Sequence, residues 1–451
     1  MNVPKWGLTK PWRTQLIGML LCCIGFAYAL LVPPFQSPDE PNHFFRAWQV
    51  SEGHFFPEKK DHRLGGSLPS SLVQVSDTFA FLRHDPHARL SLNTWRKALS
   101  VPLRPEQRSF TDFANTAIYA PTAYLPQATA LAVLRPLGAT PLQLLYATRL
   151  ANVFVWILLI MAALHRAKFL RSTLVVMALL PASVCLAASA NADVLTNGLC
   201  WWIIVSLIAT PILPMDGKKW IVLVIVSINK LIAVPLGLLG LFFKNDRRTL
   251  AVFIGVGLMA ALWWSRLAQD WFIPHGAYNP TFRDSQTLNS GVNPTAQLAF
   301  IVENPVFFVK MSVQSFVKSL PSMGAHFVGK FGWEKNYLSS GWIGLLWVAL
   351  MATIFSTANP LTARQRGGMM TVTVLYVVAF SVTMYALWCA VGAARIDNWQ
   401  GRYFVPIAPV AALAVASNWL GKWHKNIHWV SLLAVLGGNM AMMARILERY
   451  W

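Results

Sequence analysis

The stretch "LVPPFQSPDEPNHFFRAWQ", residues 31–49, decides how this chain is organised. It overlaps the end of "TQLIGMLLCCIGFAYALLVPP", an apolar run that reaches the roughly 20 residues needed to cross a bilayer. The chain thus leaves the membrane and at once presents Asp39 and Glu40 between two prolines. The acidic pair has two interpretations: the start of a helix, where acidic side chains cap free N–H groups, or a catalytic carboxylate held at the membrane face.

Composition sets the class of protein. Of the 451 residues, 55% are hydrophobic and 12% are charged, about half of the roughly 25% charged residues typical of soluble domains. This balance predicts a single all-α polytopic membrane domain over residues 1–451. The net charge of +20 is attributed to basic cytoplasmic turns and contacts with anionic lipids, and no nucleic acid is expected as a partner. The five cysteines lie in apolar runs without metal-ligand spacing, so neither disulfides nor a zinc site are predicted.

The positions of lysine and arginine predict the topology. Basic residues precede the first span, 14–34, which predicts a cytoplasmic N-terminus and places Asp39 outside. The basic turn "HRAKFLR" (165–171) is also predicted to be cytoplasmic, so the proline-containing apolar segment 117–136 must stay on the outer face. An interruption at Asn229-Lys230 predicts two half-length helices where one span would otherwise be drawn.

Continued along the chain, these rules predict about eleven spans or half-spans and two extracytoplasmic loops that carry amphipathic helices. After the first span the predicted divisions are a first periplasmic loop with juxtamembrane helices (35–141), a helical core (142–267), a second periplasmic loop (268–339) and the C-terminal spans (340–451).

The predicted topology places the unusual polar clusters on one face. They are Asp39-Glu40, the segment from Tyr119 to Tyr124, Asn191 to Asp193, Asn229-Lys230, and Arg395 through Arg402-Tyr403. Polar groups near lipid are costly unless they are paired or face a cavity, so the clusters predict a shared pocket at the membrane boundary. Each also has a structural alternative: Asp39 and Asp193 could cap helices, Lys230 could reach the headgroups, and Arg402 could anchor a span.

The order of these clusters resembles the GT-C superfamily of lipid-dependent glycosyltransferases, which includes aminoarabinose transferases and protein O-mannosyltransferases. The matching features are the acidic pair after the first span, the "Y-x-P-x-x-Y" pattern at 119–124, the turn "SANADVLTN" at 189–197 and the lysine at a helix break. The stretches "PDEPNHFFRAWQVSEGHFFPE" and "NWQGRYFVPIAPV" are more similar still to an uncharacterised bacterial family of multi-spanning membrane proteins thought to share that fold.

The resemblance implies an inverting transfer of a sugar from a polyprenyl-phosphate donor, with a carboxylate that takes the proton of the acceptor hydroxyl. It implies catalytic roles for Asp39 as the base, Glu40 as a supporting or alternative carboxylate and Asp193 as the second acid. The implied substrate-binding residues are His43, Tyr119, Tyr124, Lys230, Arg395, Arg402 and Tyr403, of which the three basic ones would bind phosphate. The chain departs from the aminoarabinose transferases at Asn42, where they have arginine, and at Ile118-Tyr119, where they have a Glu-Lys pair. No metal ligand is therefore assigned, although a divalent metal stays open.

These features predict a multi-pass glycosyltransferase of the bacterial inner membrane, acting on a cell-envelope glycan at the periplasmic face. Lipopolysaccharide O-antigen is an acceptor by analogy only. One alternative is an O-antigen polymerase or ligase that uses undecaprenyl-diphosphate glycans, since the second loop carries Arg283, Lys310 and Lys318. The other alternative is a transporter or flippase of lipid-linked sugars.

Overall fold

The computed structural model describes residues 11–83, 85–167, 169–209, 217–243, 247–274, 291–333 and 336–451. Eighteen α-helices and three strands lie within these ranges. The helices are α1 Pro11–Leu31, α2 Glu40–Ser51, α3 Ser70–Thr78, α4 Leu92–Leu99, α5 Ala114–Ala117, α6 Leu125–Leu134, α7 Pro141–Arg166, α8 Arg171–Leu179, α9 Pro181–Ala187, α10 Asp193–Ala209, α11 Gly217–Asn229, α12 Arg247–Gln269, α13 Pro294–Glu303, α14 Pro305–Gly329, α15 Ser340–Phe355, α16 Ala363–Trp388, α17 Ala408–Val415 and α18 His424–Tyr450. The strands are β1 Glu58–Lys60, β2 Arg63–Pro69 and β3 Arg108–Asp112.

Five helical segments of the described chain are long and apolar enough to cross a membrane, and a bent helix pair adds a sixth if it is one span. The five are Thr14–Leu31, Pro141–Arg166, Ala251–Gln269, Ala363–Trp388 and Gly421–Tyr450. The pair is α13 and α14, which meet at 107°. This number is well below the eleven spans or half-spans that the sequence predicted, and the specific GT-C arrangement is not shown.

Part of the difference comes from proline, which divides apolar windows into helices too short to span. Among the roughly eleven predicted spans is the apolar window 172–190, which consists of α8 and α9, separated at Leu180 before Pro181. Another is the window 403–419, which contains only a short 3₁₀ turn and the eight-residue α17. A proline removes a backbone hydrogen-bond donor and restricts the conformation of the residue before it, so helices commonly end or begin at a proline.

The break at Asn229-Lys230 lies where the sequence predicts it. Helix α11 ends at Asn229, Lys230 is extended (φ −147°, ψ 103°), and a 3₁₀ helix follows over Leu231–Phe242. Two half-length helices therefore replace one span, and the lysine is at their junction.

A small antiparallel sheet of order β1-β2-β3 in the first loop was not predicted from sequence, which indicated only short helices there. Gly65 in β2 pairs with Asp112 in β3, and a Cβ atom at Gly65 would lie 1.8 Å from the carbonyl oxygen of Thr111. Glycine is therefore required for the strands to approach. The sheet connects α2 to α5. Asp39 directly precedes α2, and Asn115, which donates a hydrogen bond to it, lies in α5.

The last helix packs against the first. The Tyr28 hydroxyl in α1 donates to Oδ1 of Asn439 in α18 at 2.9 Å, and the indole N–H of Trp451 donates to the carbonyl of Leu31 at 2.8 Å. Arg449 donates to three carbonyl groups of residues 82–88 in the first loop. Residues far apart in sequence thus hold α18 against α1 and against the first loop.

Candidate functional site

Asp39 occupies a strained turn at the start of α2. Its backbone is left-handed (φ 60°, ψ 7°), a conformation that costs a non-glycine residue on the order of 1–2 kcal/mol. Its side chain makes no capping hydrogen bond to the helix. The helix-cap interpretation of this carboxylate is therefore wrong.

The Asp39 carboxylate is instead held from two sides. Asn115 donates to Oδ1 at 3.0 Å, and the Arg402 guanidinium lies 3.3 Å from Oδ2. The Asn115 amide is itself fixed by Asn42, whose Nδ2 donates to it at 2.6 Å. The Asp39 side chain nevertheless remains 32% exposed, so part of it faces solvent.

A second ion pair lies in the same region. The Lys230 ammonium is 2.7 Å from Asp193 Oδ1, and both side chains are nearly buried. Asn229, the neighbour of Lys230, accepts a hydrogen bond from Thr122 at 2.6 Å and donates to Thr196 at 3.1 Å. These bonds fix the helix break and hence the position of Lys230.

Tyr403 joins the two ion pairs. The Arg402 guanidinium carbon lies 5.2 Å from the centre of the Tyr403 ring, and the Lys230 ammonium lies 5.7 Å from it. Arg402 also donates to the Tyr403 hydroxyl at 3.3 Å. We call the residues Asp39, Asp193, Lys230, Arg402 and Tyr403 the polar cluster; the fold gathers it from four separate segments of the chain.

His43, Tyr119 and Tyr124 form an aromatic group close to the polar cluster. His43 Nδ1 lies 2.8 Å from the Tyr124 hydroxyl, and its ring centre is 5.9 Å from that of Tyr119. Burial lowers the pKa of His43 to about 4, although the carboxylates of Asp39 and Asp193 act in the opposite direction. Burial raises the pKa of both tyrosines well above the usual value. All three rings are therefore neutral hydrogen-bonding groups near pH 7.

Glu40 lies outside the polar cluster, although it follows Asp39 directly. Its oxygens accept from Nε and from a terminal nitrogen of Arg149 in α7 at 2.8 and 2.6 Å, and both side chains are 0% exposed. Oε1 also accepts from the backbone N–H of Ala190 at 3.1 Å. Arg149 in turn donates to the carbonyls of Ala29, Val32 and Pro33 at the end of α1, which have no partner within that helix. The pair joins four segments and leaves Glu40 no route to a substrate, so the structure does not support its predicted catalytic role.

The sequence was compared with protein families, with curated proteins and with solved structures. A family described as "Predicted membrane protein (DUF2142)" matches residues 22–411, which is most of the chain. The chain belongs to this family. No curated protein and no solved structure matches the chain. Family membership establishes a membrane protein, and the family's description states no reaction.

In this DUF2142 member, Arg395 lies outside the polar cluster. Its side chain is 67% exposed and pairs with Asp397 at 2.9 Å. Arg395 was predicted to bind phosphate together with Lys230 and Arg402, but the structure brings only those two together.

The described residues contain no group of three or more His, Cys, Asp or Glu side chains able to hold a metal ion. Sequence analysis missed two residues that the site depends on. Arg149 had a signal, since it is a lone arginine in an apolar helix and such a residue normally has a buried partner. Asn115 had none, because an asparagine in a loop is unremarkable until the fold places it beside Asp39.

Proposed function

We propose that this protein is a glycosyltransferase of the bacterial inner membrane, with a cytoplasmic N-terminus and a periplasmic active site. It moves a sugar from a polyprenyl-phosphate donor to a hydroxyl of a cell-envelope glycan. The observation that carries the proposal is Asp39: a partly exposed carboxylate at the start of α2, soon after the candidate membrane helix α1, held by Asn115 and Arg402 and beside a second ion pair.

In the proposed reaction Asp39 takes the proton of the acceptor hydroxyl while that oxygen forms a bond to C1 of the sugar. The bond between C1 and the donor phosphate oxygen breaks, and its electron pair stays on the phosphate. The products are the glycosylated acceptor and the lipid phosphate, and the configuration at C1 is inverted.

Two cations of the polar cluster suit the leaving group. The Arg402 guanidinium carbon and the Lys230 ammonium lie 5.2 and 5.7 Å from the centre of the Tyr403 ring, and fixed cations stabilise charge that develops on a phosphate oxygen. Asp193 holds the Lys230 ammonium at 2.7 Å. We assign Asp193 to positioning that cation, and we assign Glu40 to fixing the turn that carries Asp39.

The neutral ring of His43 offers one donor and one acceptor, and Tyr124 already engages its Nδ1. In the proposed complex Nε2 is therefore the atom free to bind a sugar or acceptor hydroxyl.

The test follows transfer of a labelled sugar from a short polyprenyl phosphate in membranes that contain the wild type or Asp39→Asn. Loss of a general base lowers transfer by roughly 100-fold or more. The matched control is Asp397→Asn, which removes a carboxylate outside the polar cluster and should transfer at the wild-type rate. Equal transfer by wild type and Asp39→Asn contradicts the proposal, and a flippase of lipid-linked sugars would show no transfer with either.

A further inference from the structure

A cavity of about 60 Å³ lies beside the polar cluster, between α9, the end of α14 and the segment that carries Arg402. Its wall is largely apolar. Its polar side chains include Ser37, Ser183, His326, Lys330 and Arg402. A cavity of this size has room for more than one water, which is the scale of a small tetrahedral oxyanion.

One glycine makes this cavity. A Cβ atom at Gly401 would lie 2.3 Å from the carbonyl oxygen of Met323 and 2.4 Å from the backbone nitrogen of Phe327. Only glycine allows the backbone before Arg402 to touch α14 directly. The same contact brings His326 and Lys330, from the last turn of α14 and just beyond it, to the cavity that Arg402 lines.

The hydrogen bonds of His326 fix its tautomer. Nε2 lies 2.5 Å from the Tyr337 hydroxyl and 3.3 Å from the Lys330 ammonium, and the histidine ring stacks on the tyrosine ring at 5.3 Å. An ammonium group can only donate, so Nε2 must accept and the proton of the neutral ring is on Nδ1. Nδ1 is buried and has no hydrogen-bond partner in the described part of the chain. His326 is thus a buried donor without an acceptor.

Lys330 and Arg402 are the cations of the wall, and its other neutral polar side chains are Ser37, Ser183, Ser189 and Gln400. Lys330 and Arg402 carry full positive charges, and Nε of Arg402 is buried without a hydrogen-bond partner among the described residues. Ser37 and Ser183 add hydroxyls. Among the described residues that line the cavity there is no carboxylate, so the wall suits an anion that accepts several hydrogen bonds.

We propose that this cavity binds the phosphoryl group of a phosphate-bearing ligand through His326, Lys330 and Arg402. The choice of a polyprenyl phosphate as its source rests on the proposed function. Arg402 also binds Asp39, so one guanidinium separates the bound phosphate from the proposed base. The second loop, which had no assigned role, then supplies two of the three phosphate-binding side chains.

Binding is measured without any reaction. Purified protein in nanodiscs is titrated with a short-chain polyprenyl phosphate, with the corresponding alcohol and with inorganic phosphate. The phosphate lipid should bind at least tenfold more tightly than the alcohol, because only it offers oxygens to the donors. If inorganic phosphate binds with the same dependence on Lys330 and the lipid does not, the site takes free phosphate.

Lys330→Gln should weaken binding of the phosphate lipid about tenfold, and Lys330→Arg should restore most of it. The matched control is Lys318→Gln, which removes the same charge from an exposed position of α14 and should bind as the wild type does. If Lys330→Gln does not fold, binding of the phosphate lipid is measured with Lys330→Arg and Arg402→Lys instead. Binding that is equal for wild type and Lys330→Gln, or equal for the phosphate lipid and the alcohol, overturns the proposal.

Asp39→Asn separates this inference from the proposed function. It should lose transfer and keep binding of the phosphate lipid within about twofold. A wild-type protein that binds the lipid through Lys330 and transfers no sugar would refute the transferase and leave the phosphate site in place.

Discussion

Asp39 and Glu40 are adjacent in sequence, yet their environments are opposite. The Asp39 side chain is 32% exposed, and its partners are the amide of Asn115 and the guanidinium of Arg402. Glu40 is 0% exposed and is enclosed by Arg149 and the N–H of Ala190. Each carboxylate pairs with an arginine. Of the two, Arg402, the partner of Asp39, also lines the cavity described above. The comparison separates a group that can meet a ligand from one that can only support the fold.

The largest expected effect is on stability, when the buried ion pair between Glu40 and Arg149 is broken. Arg149→Met leaves the Glu40 charge buried and unpaired, which costs roughly 3–5 kcal/mol of stability. It should appear as a strongly lowered midpoint of thermal unfolding in detergent. Arg402→Met is the matched control: it should lose less than half as much, since Asp39 can turn to water. Equal losses of stability in the two variants would contradict the difference in environment between Glu40 and Asp39.

The next effect tests whether His43 is buried and neutral. Its pKa in the folded protein, about 4, lies below the usual value of 6.5, so between pH 6.5 and 4 the unfolded chain binds a proton that the folded chain does not. Stability is therefore lost as the pH falls through this window, by about 2 kcal/mol from pH 7 to pH 5 for this group. His43→Gln should remove that part of the pH dependence of the unfolding midpoint. His62→Gln, at an exposed histidine, should not, and a His43→Gln protein as acid-sensitive as wild type would disagree with a buried neutral ring.

The smallest expected effect is at Arg395. Arg395→Gln breaks an exposed ion pair with Asp397, which is worth about 1 kcal/mol or less. Its unfolding midpoint and its sugar transfer should both match those of wild type. A large fall in sugar transfer would support the role in phosphate binding that the sequence predicted for Arg395, and would contradict its exclusion from the site.

Sequence reasoning found the polar cluster because its members stand out against apolar surroundings. Asp39 follows a span directly, and Lys230 interrupts an apolar run; both signals are local. Asn115 carries no such signal, and its role arises from a contact across more than seventy residues.

The number of spans was harder to predict for a similar reason. Hydropathy reports how apolar a window is, and it does not report where a helix ends inside the window. Pro181 lies within a window that is apolar throughout, yet it separates α8 from α9. The sheet was missed because "RLGGSLP" has two glycines and little of the β-branched character that marks strands.

The contacts of the last helix have a consequence for how the site is made. Tyr28 hydrogen-bonds to Asn439, the carbonyl of Leu31 accepts from Trp451, and carbonyls of residues 82–88 accept from Arg449. The ribosome delivers those partners about four hundred residues after it has delivered the opening helix. The contacts of the last helix with α1 and with the first loop therefore form only after the rest of the chain has been made. A nascent chain stalled before that point carries every residue of the polar cluster without these contacts.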